Sequence, residues 1–280
     1  MLVKIINANE KQMDIFINAA RDEGWNPGFH DAKSFYACDN SGFWLGFSEK
    51  EKIVSMLSFV NYQNSDFSFV GFYIVKPEYR NQNNGYALWQ NVFSRYPGRN
   101  VALDGVPAQV ENYKRSGFIF ANTNCRYCGR NFRQPAQTDC LISATDMPFA
   151  DICAYDRLHF PAARQAFLRS WLDNAVRALV FSEHGKIKGL GVIRKCFDGY
   201  KIGPLFCDNY QIAYKIFNGL ISNIRDENIF LDIMETNEDA KRLVLGLGMK
   251  PVFTTARMYT KKSPDIRWNN VFGLTTFELG

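Results

Sequence analysis

Apolar positions change period in an ordered way along the chain. Met13, Phe16, Ile17 and Ala20 recur at helical spacing, and Gly24 follows as a stop. The segment Glu-Gly-Trp-Asn-Pro-Gly at 23–28 is rich in turn formers. Residues 43–47, 53–62 and 67–75 predict three successive strands, parted by a charged turn at 48–52 and a polar one at 63–66. A polar stretch then leads to Gly85, which opens a helix carrying Leu88, Trp89, Val92 and Phe93. A strand at 100–104, a short helix at 111–116 stopped by Gly117, and an extended stretch at 118–130 follow.

Residues 131–139 are polar, contain Pro135 and show no period, which predicts a linker between domains at 1–134 and 140–280. Beyond it, a helix is expected after Pro161, presenting Ala163, Phe167 and Trp171. A hairpin turns at His184-Gly185, and a strand follows at 200–206. The helix at 210–224 buries Ala213, Ile216, Phe217, Leu220 and Ile224. A strand at 229–233, a helix at 241–247 stopped by Gly248, and a strand at 252–260 complete the pattern.

The two halves echo each other. Asn100-Val-Ala-Leu-Asp104 resembles Asn228-Ile-Phe-Leu-Asp232, and each leads to a short helix ending in glycine plus a large apolar residue, Gly117-Phe118 or Gly248-Met249. Arg126 and Arg257 stand at the same distance beyond. The ordered set predicts a duplicated domain.

Composition narrows the classes. The 280 residues are 46% apolar, with 24 Phe, 13 Tyr and 5 Trp, which is core material rather than a disordered chain. No apolar run reaches the roughly 18–20 residues of a membrane span, and the first residues show no signal-peptide pattern. A net charge of +5 without a basic block gives no support for nucleic-acid binding. Seven cysteines without a secretion signal suit free thiols in a reducing cytoplasm. Cys125-Arg-Tyr-Cys128 lacks a second knuckle, and there are 3 histidines, so no metal is expected; a metal-clipped interaction module is the weaker reading.

The chemistry concentrates at 75–85. An apolar strand runs into a polar loop that opens a helix, so consecutive backbone N–H groups and the helix dipole favour phosphate oxygens. Gly85 permits close approach, Asn83 tolerates a positive φ, and Arg80 adds a charge-assisted bond.

These residues resemble the GNAT acyltransferase superfamily. Its cofactor loop, R/Q-x-x-G-x-G/A, is matched by Arg80-x-x-Asn83-x-Gly85, and its Y-x-x-x-G-F motif by Tyr113 to Phe118. Lys201-Ile-Gly-Pro-Leu-Phe206, Thr255-Ala-Arg-Met-Tyr259 and Phe277-Glu-Leu-Gly280 look like the bacterial tandem acetyltransferases with a second, YitH-like domain. The resemblance implies an α/β (α+β) fold of two tandem domains, each a mixed, mainly antiparallel twisted sheet flanked by helices.

It also implies a site that binds acetyl-CoA. The pantetheine arm would pair with the strand near Ile74 and Val75, where an N–H polarises the thioester carbonyl. The pyrophosphate would rest on amides of Gln82, Asn83, Asn84, Gly85 and Tyr86, with Gln109 or Asn112 assisting. Tyr113 stands where the family often has a general acid, and Asp104, Glu78, Asp66 or a water relay remain open as the base. Trp25 and Asn26 are candidates for the acceptor channel; Asp208, Asp232 and Glu235 are candidates to meet a cationic acceptor.

The second half departs from the pattern. Val244 fills its tyrosine slot, and the stretch 208–211 has no glycine, so this half is expected to have lost CoA and to shape the acceptor pocket. The expected function is a cytoplasmic acetyl-CoA-dependent N-acetyltransferase acting on a small-molecule amine. The alternative is a non-catalytic CoA-binding or ligand-sensing protein.

Overall fold

The computed structural model describes residues 2–132 and 140–280, so most of the linker expected at 131–139 lies outside the described residues. The first repeat runs β1 (Leu2–Asn7), α1 (Met13–Asp22), α2 (Asp31–Cys38), β2 (Phe43–Ser48), β3 (Ile53–Asn61) and β4 (Phe67–Val75). It continues with α3 (Asn84–Phe93), β5 (Asn100–Gly105), α4 (Val110–Arg115) and β6 (Ile119–Gly129). The second runs β7 (Leu141–Ser143), α5 (Phe149–Arg157), α6 (Gln165–Asp173), β8 (Arg177–Glu183), β9 (Lys186–Lys195) and β10 (Tyr200–Cys207). Then come α7 (Tyr210–Ile221), β11 (Ile229–Met234), α8 (Glu238–Gly246) and β12 (Lys250–Tyr259), and finally β13 (Val271–Gly273). The element order of the first repeat recurs in the second, as the sequence echo predicts.

The repeats share one continuous sheet, ordered β1-β2-β3-β4-β5-β12-β6-β11-β10-β9-β8-β7, with β13 added at β10. Neighbours are antiparallel except β4 with β5 and β10 with β11. The last strand of each repeat lies in the other's territory: β12 pairs with β5, and β6 pairs with β11. Neither repeat closes its own sheet.

Alternation along the strands sends side chains to two layers. Phe43, Leu45, Phe69 and Phe72 pack with Phe16, Ile17 and Phe35 of α1 and α2, and with Phe167 and Trp171 of α6, so one core spans both repeats. Trp44, Phe59 and Val70 meet α3 through Leu88, Trp89 and Val92. The helix α7 seals the second repeat with Ala213, Ile216, Phe217 and Leu220. Each fully buried Phe of this kind contributes about 1.5–3 kcal/mol.

Two helices escape the apolar periodicity. In α2 the buried face includes Asp31 and Ser34, because Asp31 pairs with Arg194 of β9 and Ser34 meets Ser170 of α6. The helix expected after Pro161 starts later, at Gln165, with α5 preceding it. No described helix is long and apolar enough to cross a membrane.

Candidate functional site

The strands β4 and β5 pair only from Phe67–Asn100 to Val70–Leu103 and then diverge. The divergence starts at Gly71 and Phe72. Phe72 has φ +47°, and the pairing of β4 with β3 shifts register between Gly71–Ser58 and Ile74–Met56, which marks a bulge. A bulky residue in the left-handed region is a strained feature of the kind found at working sites. From Gly71 to Val75 the edge of β4 toward β5 has no strand partner among the described residues.

A cleft of ≈ 500 Å³ opens there. Ile74, Val75, Tyr113 and Val106 form its sides. Arg80, Asn83, Asn84, Gly85 and Tyr86 stand at the helix end. Arg126 of β6, Phe253 and Thr255 of β12, and Phe277 and Glu278 beyond β13 also line it, so the crossed strands and the tail complete the site.

The loop before α3 has the conformation the sequence suggests. Asn83 takes φ +62° immediately before the helix. A Cβ on Gly85 would stand 2.6 Å from Val75 Cγ2 and 2.8 Å from Tyr73 Oη, so only glycine lets this helix end approach β4 so closely. Burial pushes the Tyr73 hydroxyl up to about 12. Arg80 donates to the Val75 carbonyl at 2.9 Å and its guanidinium pairs with Glu23, which fixes the loop against the cleft mouth. Asn84 donates to the Tyr79 carbonyl at 3.0 Å. Gln82 instead turns to the Glu78 carbonyl and does not line the cleft.

Tyr113 forms a wall. Its ring packs against Gly105, where a Cβ would come within 2.4 Å, and beside Trp89 and Phe118. Burial raises its hydroxyl well above the ordinary tyrosine value, so it enters any reaction protonated. Of the two amides expected to assist the cofactor, Gln109 lines the cleft, whereas Asn112 is exposed and donates to Gln109 Oε1.

Two acids expected at the site have other duties. Asp104 accepts from Arg257 Nε at 2.8 Å and Nη2 at 2.6 Å, and from Asn124 Nδ2 at 2.7 Å. Asp104 does line the cleft, but its oxygens are engaged by Arg257 and Asn124 and its side chain is sealed from solvent, an arrangement that suits an ion-pair partner better than a free base. Asp232 accepts from Arg126 Nε at 2.6 Å and Nη2 at 2.8 Å, and lies outside the cleft. Burial alone would raise its carboxyl, but Arg126 holds it below the ordinary value. The expected contact of Asp232 with an acceptor is therefore corrected. Asn26 is corrected likewise: its side chain closes on the Asp198 backbone, with bonds of 2.9 Å in each direction. Trp25 does line the cleft, and its carbonyl accepts from Arg126 at 2.6 Å.

The second repeat has the same divergence and fills it. The strands β10 and β11 pair from Tyr200 to Ile202, after which β13 pairs with β10 at Leu205 and Phe206. Leu274 N–H then donates to the Asp232 carbonyl of β11 at 2.8 Å. Asp208 binds Lys188 at 3.1 Å, and Asn209 caps α7 where a phosphate loop would need free amides.

Sequence reasoning missed Phe72, Arg126, Phe253 and Glu278 as cleft residues. Phe72 carries no signal of its φ. The Phe277-Glu-Leu-Gly280 motif stood out by resemblance, without a place in the site.

Comparison with known proteins agrees with this geometry. Residues 9–118 match the acetyltransferase (GNAT) family, and residues 152–273 match an acetyltransferase (GNAT) domain. Holothin acyltransferase from Pseudoalteromonas sp. (strain SANK 73390) is 29% identical over 266 residues, covering 92% of this chain and 88% of the relative. Among solved structures, a putative acetyltransferase from Pyrococcus horikoshii superposes with TM-score 0.83 at 20% identity, over 99% of this chain and 95% of that one. A tandem GNAT protein from the clavulanic acid biosynthesis pathway gives 0.62 at 13% identity, over 93% and 99%. At such identities the two structures speak for the fold alone. Both repeats match and both carry the same order of elements, so the chain belongs to the GNAT acyltransferases as a tandem protein.

Proposed function

We propose that the protein transfers an acetyl group from acetyl-CoA to a primary amine of a small molecule, by direct attack in the first-repeat cleft. The observation that carries this reading is the open divergence of β4 and β5, with the Asn83–Gly85 helix end at its mouth and Tyr113 on its wall. The free edge of β4 near Ile74 and Val75 suits the amide groups of a pantetheine arm, and a β4 N–H suits the thioester oxygen. Amides from Asn83 to Tyr86 suit the pyrophosphate. The Tyr113 phenol, held protonated, suits protonation of the departing thiolate.

Two further observations support the division of labour between repeats 1–134 and 140–280. The filled β10–β11 gap leaves one open cleft of this kind among the described residues, and the second repeat lends that cleft Phe253, Thr255, Phe277 and Glu278. The name of the holothin relative supports a small-molecule acceptor.

Calorimetry with acetyl-CoA, followed by thiol-release assays with primary amines, tests the proposal. Binding and amine-dependent release of CoA are expected. No binding at hundreds of micromolar overturns it, and binding without release under any amine favours a sensor.

A further inference from the structure

The chain beyond β13 crosses from the filled gap of the second repeat to the open cleft of the first. Several bonds fix its path. Tyr62 Oη donates to the Leu279 carbonyl at 2.6 Å, and Thr276 Oγ1 accepts from the amides of Glu278 and Leu279 at 3.0 and 2.9 Å. At Gly71 the Glu278 main chain lies so close that a Cβ would stand 2.1 Å from its carbonyl oxygen. Glu278 is thereby held at the point where β4 leaves β5.

Glu278 lines the cleft, and the residue is 4% exposed. The other buried carboxylates are each matched to an arginine: Asp31 to Arg194, Asp156 to Arg164 and Asp232 to Arg126. Glu278 has no such partner among the described residues. Arg126, Arg194 and Lys201 are near enough to feel its charge, but the two arginines bond their own aspartates and Lys201 donates to the Asn26 carbonyl. A buried carboxylate without a bonded cation is costly to keep, and a cation arriving as ligand removes that cost.

We propose that Glu278 receives the ammonium group of the acceptor and takes its first proton, an inference that rests on acetyl-CoA occupying this cleft. The ammonium gives one proton to the carboxylate, and the freed lone pair forms the C–N bond at the thioester carbon. The C–S bond then breaks with its electron pair on sulfur. Tyr113 protonates that sulfur and recovers a proton from the acylated nitrogen. Glu278 returns its proton to solvent, so the products are the amide, CoA thiol and one released proton.

The same placement selects the acceptor. Trp25, Phe253 and Phe277 line the same cleft as Glu278, so a primary ammonium on an apolar or aromatic body fits better than a polyanion or an uncharged alcohol.

The test compares the full chain with Glu278→Gln and Glu278→Asp on a panel of aliphatic and aryl primary amines, with acetyl-CoA affinity read alongside. Glu278→Gln is expected to bind acetyl-CoA as the wild type does, which also shows that it is folded. For an alkyl ammonium such as benzylamine its kcat/KM should fall about 100-fold near neutral pH. The deficit should shrink as pH rises and the amine arrives neutral, and it should be small for aniline, which is uncharged at neutral pH. Glu278→Asp should recover part of the loss. Wild-type rates in Glu278→Gln, or an equal loss at every pH, each overturn the assignment of Glu278 alone, whereas a wild type that binds acetyl-CoA but turns over no amine overturns it together with the transferase reading. A wild type that does not bind acetyl-CoA overturns the reading of the cleft and, with it, this one.

Discussion

Arg257 grips Asp104 with two bonds, Nε to Oδ1 at 2.8 Å and Nη2 to Oδ2 at 2.6 Å, across strands that belong to different repeats. Arg126 and Asp232 repeat this contact one strand over, with the repeats exchanged. Each arginine side chain is buried, so each pair is an electrostatic clamp on the strand crossing.

Removing one partner should therefore unfold rather than merely inactivate. Arg257→Met leaves Asp104 buried and unpaired, and a loss of about 3–5 kcal/mol is expected in urea unfolding. The double variant Arg257→Met/Asp104→Leu should recover most of it. A stable Asp104→Asn protein with abolished turnover would restore Asp104 as a base.

The crossing predicts that the repeats do not fold apart. Expressed singly, residues 1–132 and 140–280 each present sheet edges whose partner strand is missing. Each piece should be aggregated or unfolded by circular dichroism and gel filtration, and co-refolding should restore a soluble one-to-one complex.

Gly85 tests the cofactor end of the cleft. Gly85→Ala pushes a methyl into Val75 and Tyr73, a strain of about 1–3 kcal/mol, and calorimetry should show acetyl-CoA weakened roughly tenfold or more. Gly85→Asp adds charge against the pyrophosphate and should abolish binding.

Tyr113→Phe keeps the ring that packs on Gly105 and loses the proton. Its kcat should fall by roughly 100-fold or more while acetyl-CoA affinity stays near wild type. Equal losses in both would make Tyr113 a wall and no acid.

His159 sets an acid limit on stability. Its Nδ1–H donates to the Tyr155 carbonyl at 2.8 Å, and its Nε2 is buried without a partner among the described residues. Burial holds its pKa below the ordinary 6.5, so below that pH the unfolded chain binds more protons than the folded one. Stability should be fully present above pH 6.5 and fall as pH drops toward the lowered value. Urea midpoints at roughly pH 7 and pH 5 should show this, and His159→Phe should flatten the slope.

Much of this fold was legible because its signals are local. The apolar stripe of α1, the apolar runs of β2 to β4, and the Asn83–Gly85 loop each declare themselves within about a dozen residues. The helix α2 did not, since its buried face carries Asp31 for a partner far along the chain. The echo of Asp104 with Asp232, and of Arg126 with Arg257, announced duplication but not exchange. Either strand arrangement satisfies the same alternation, and only the register shows that each arginine serves the other repeat's aspartate. Asp104 accordingly looked like a free acid at a strand end. Glu278 was invisible as a cleft residue because its neighbour Gly71 is distant in sequence and close in space.

The crossed strands also set a timetable for synthesis. The edge of β5 is complete when Gly105 has been made, but β12 begins only at Lys250. At about 5–20 residues per second, that edge waits on the order of ten seconds on the ribosome. In that interval β6 is the first strand made, and pairing it with β5 gives the uncrossed arrangement. Native assembly in the cell thus requires either that this early pairing stay weak or that it be undone when β12 arrives, and the nascent chain is most exposed to misfolding in that window.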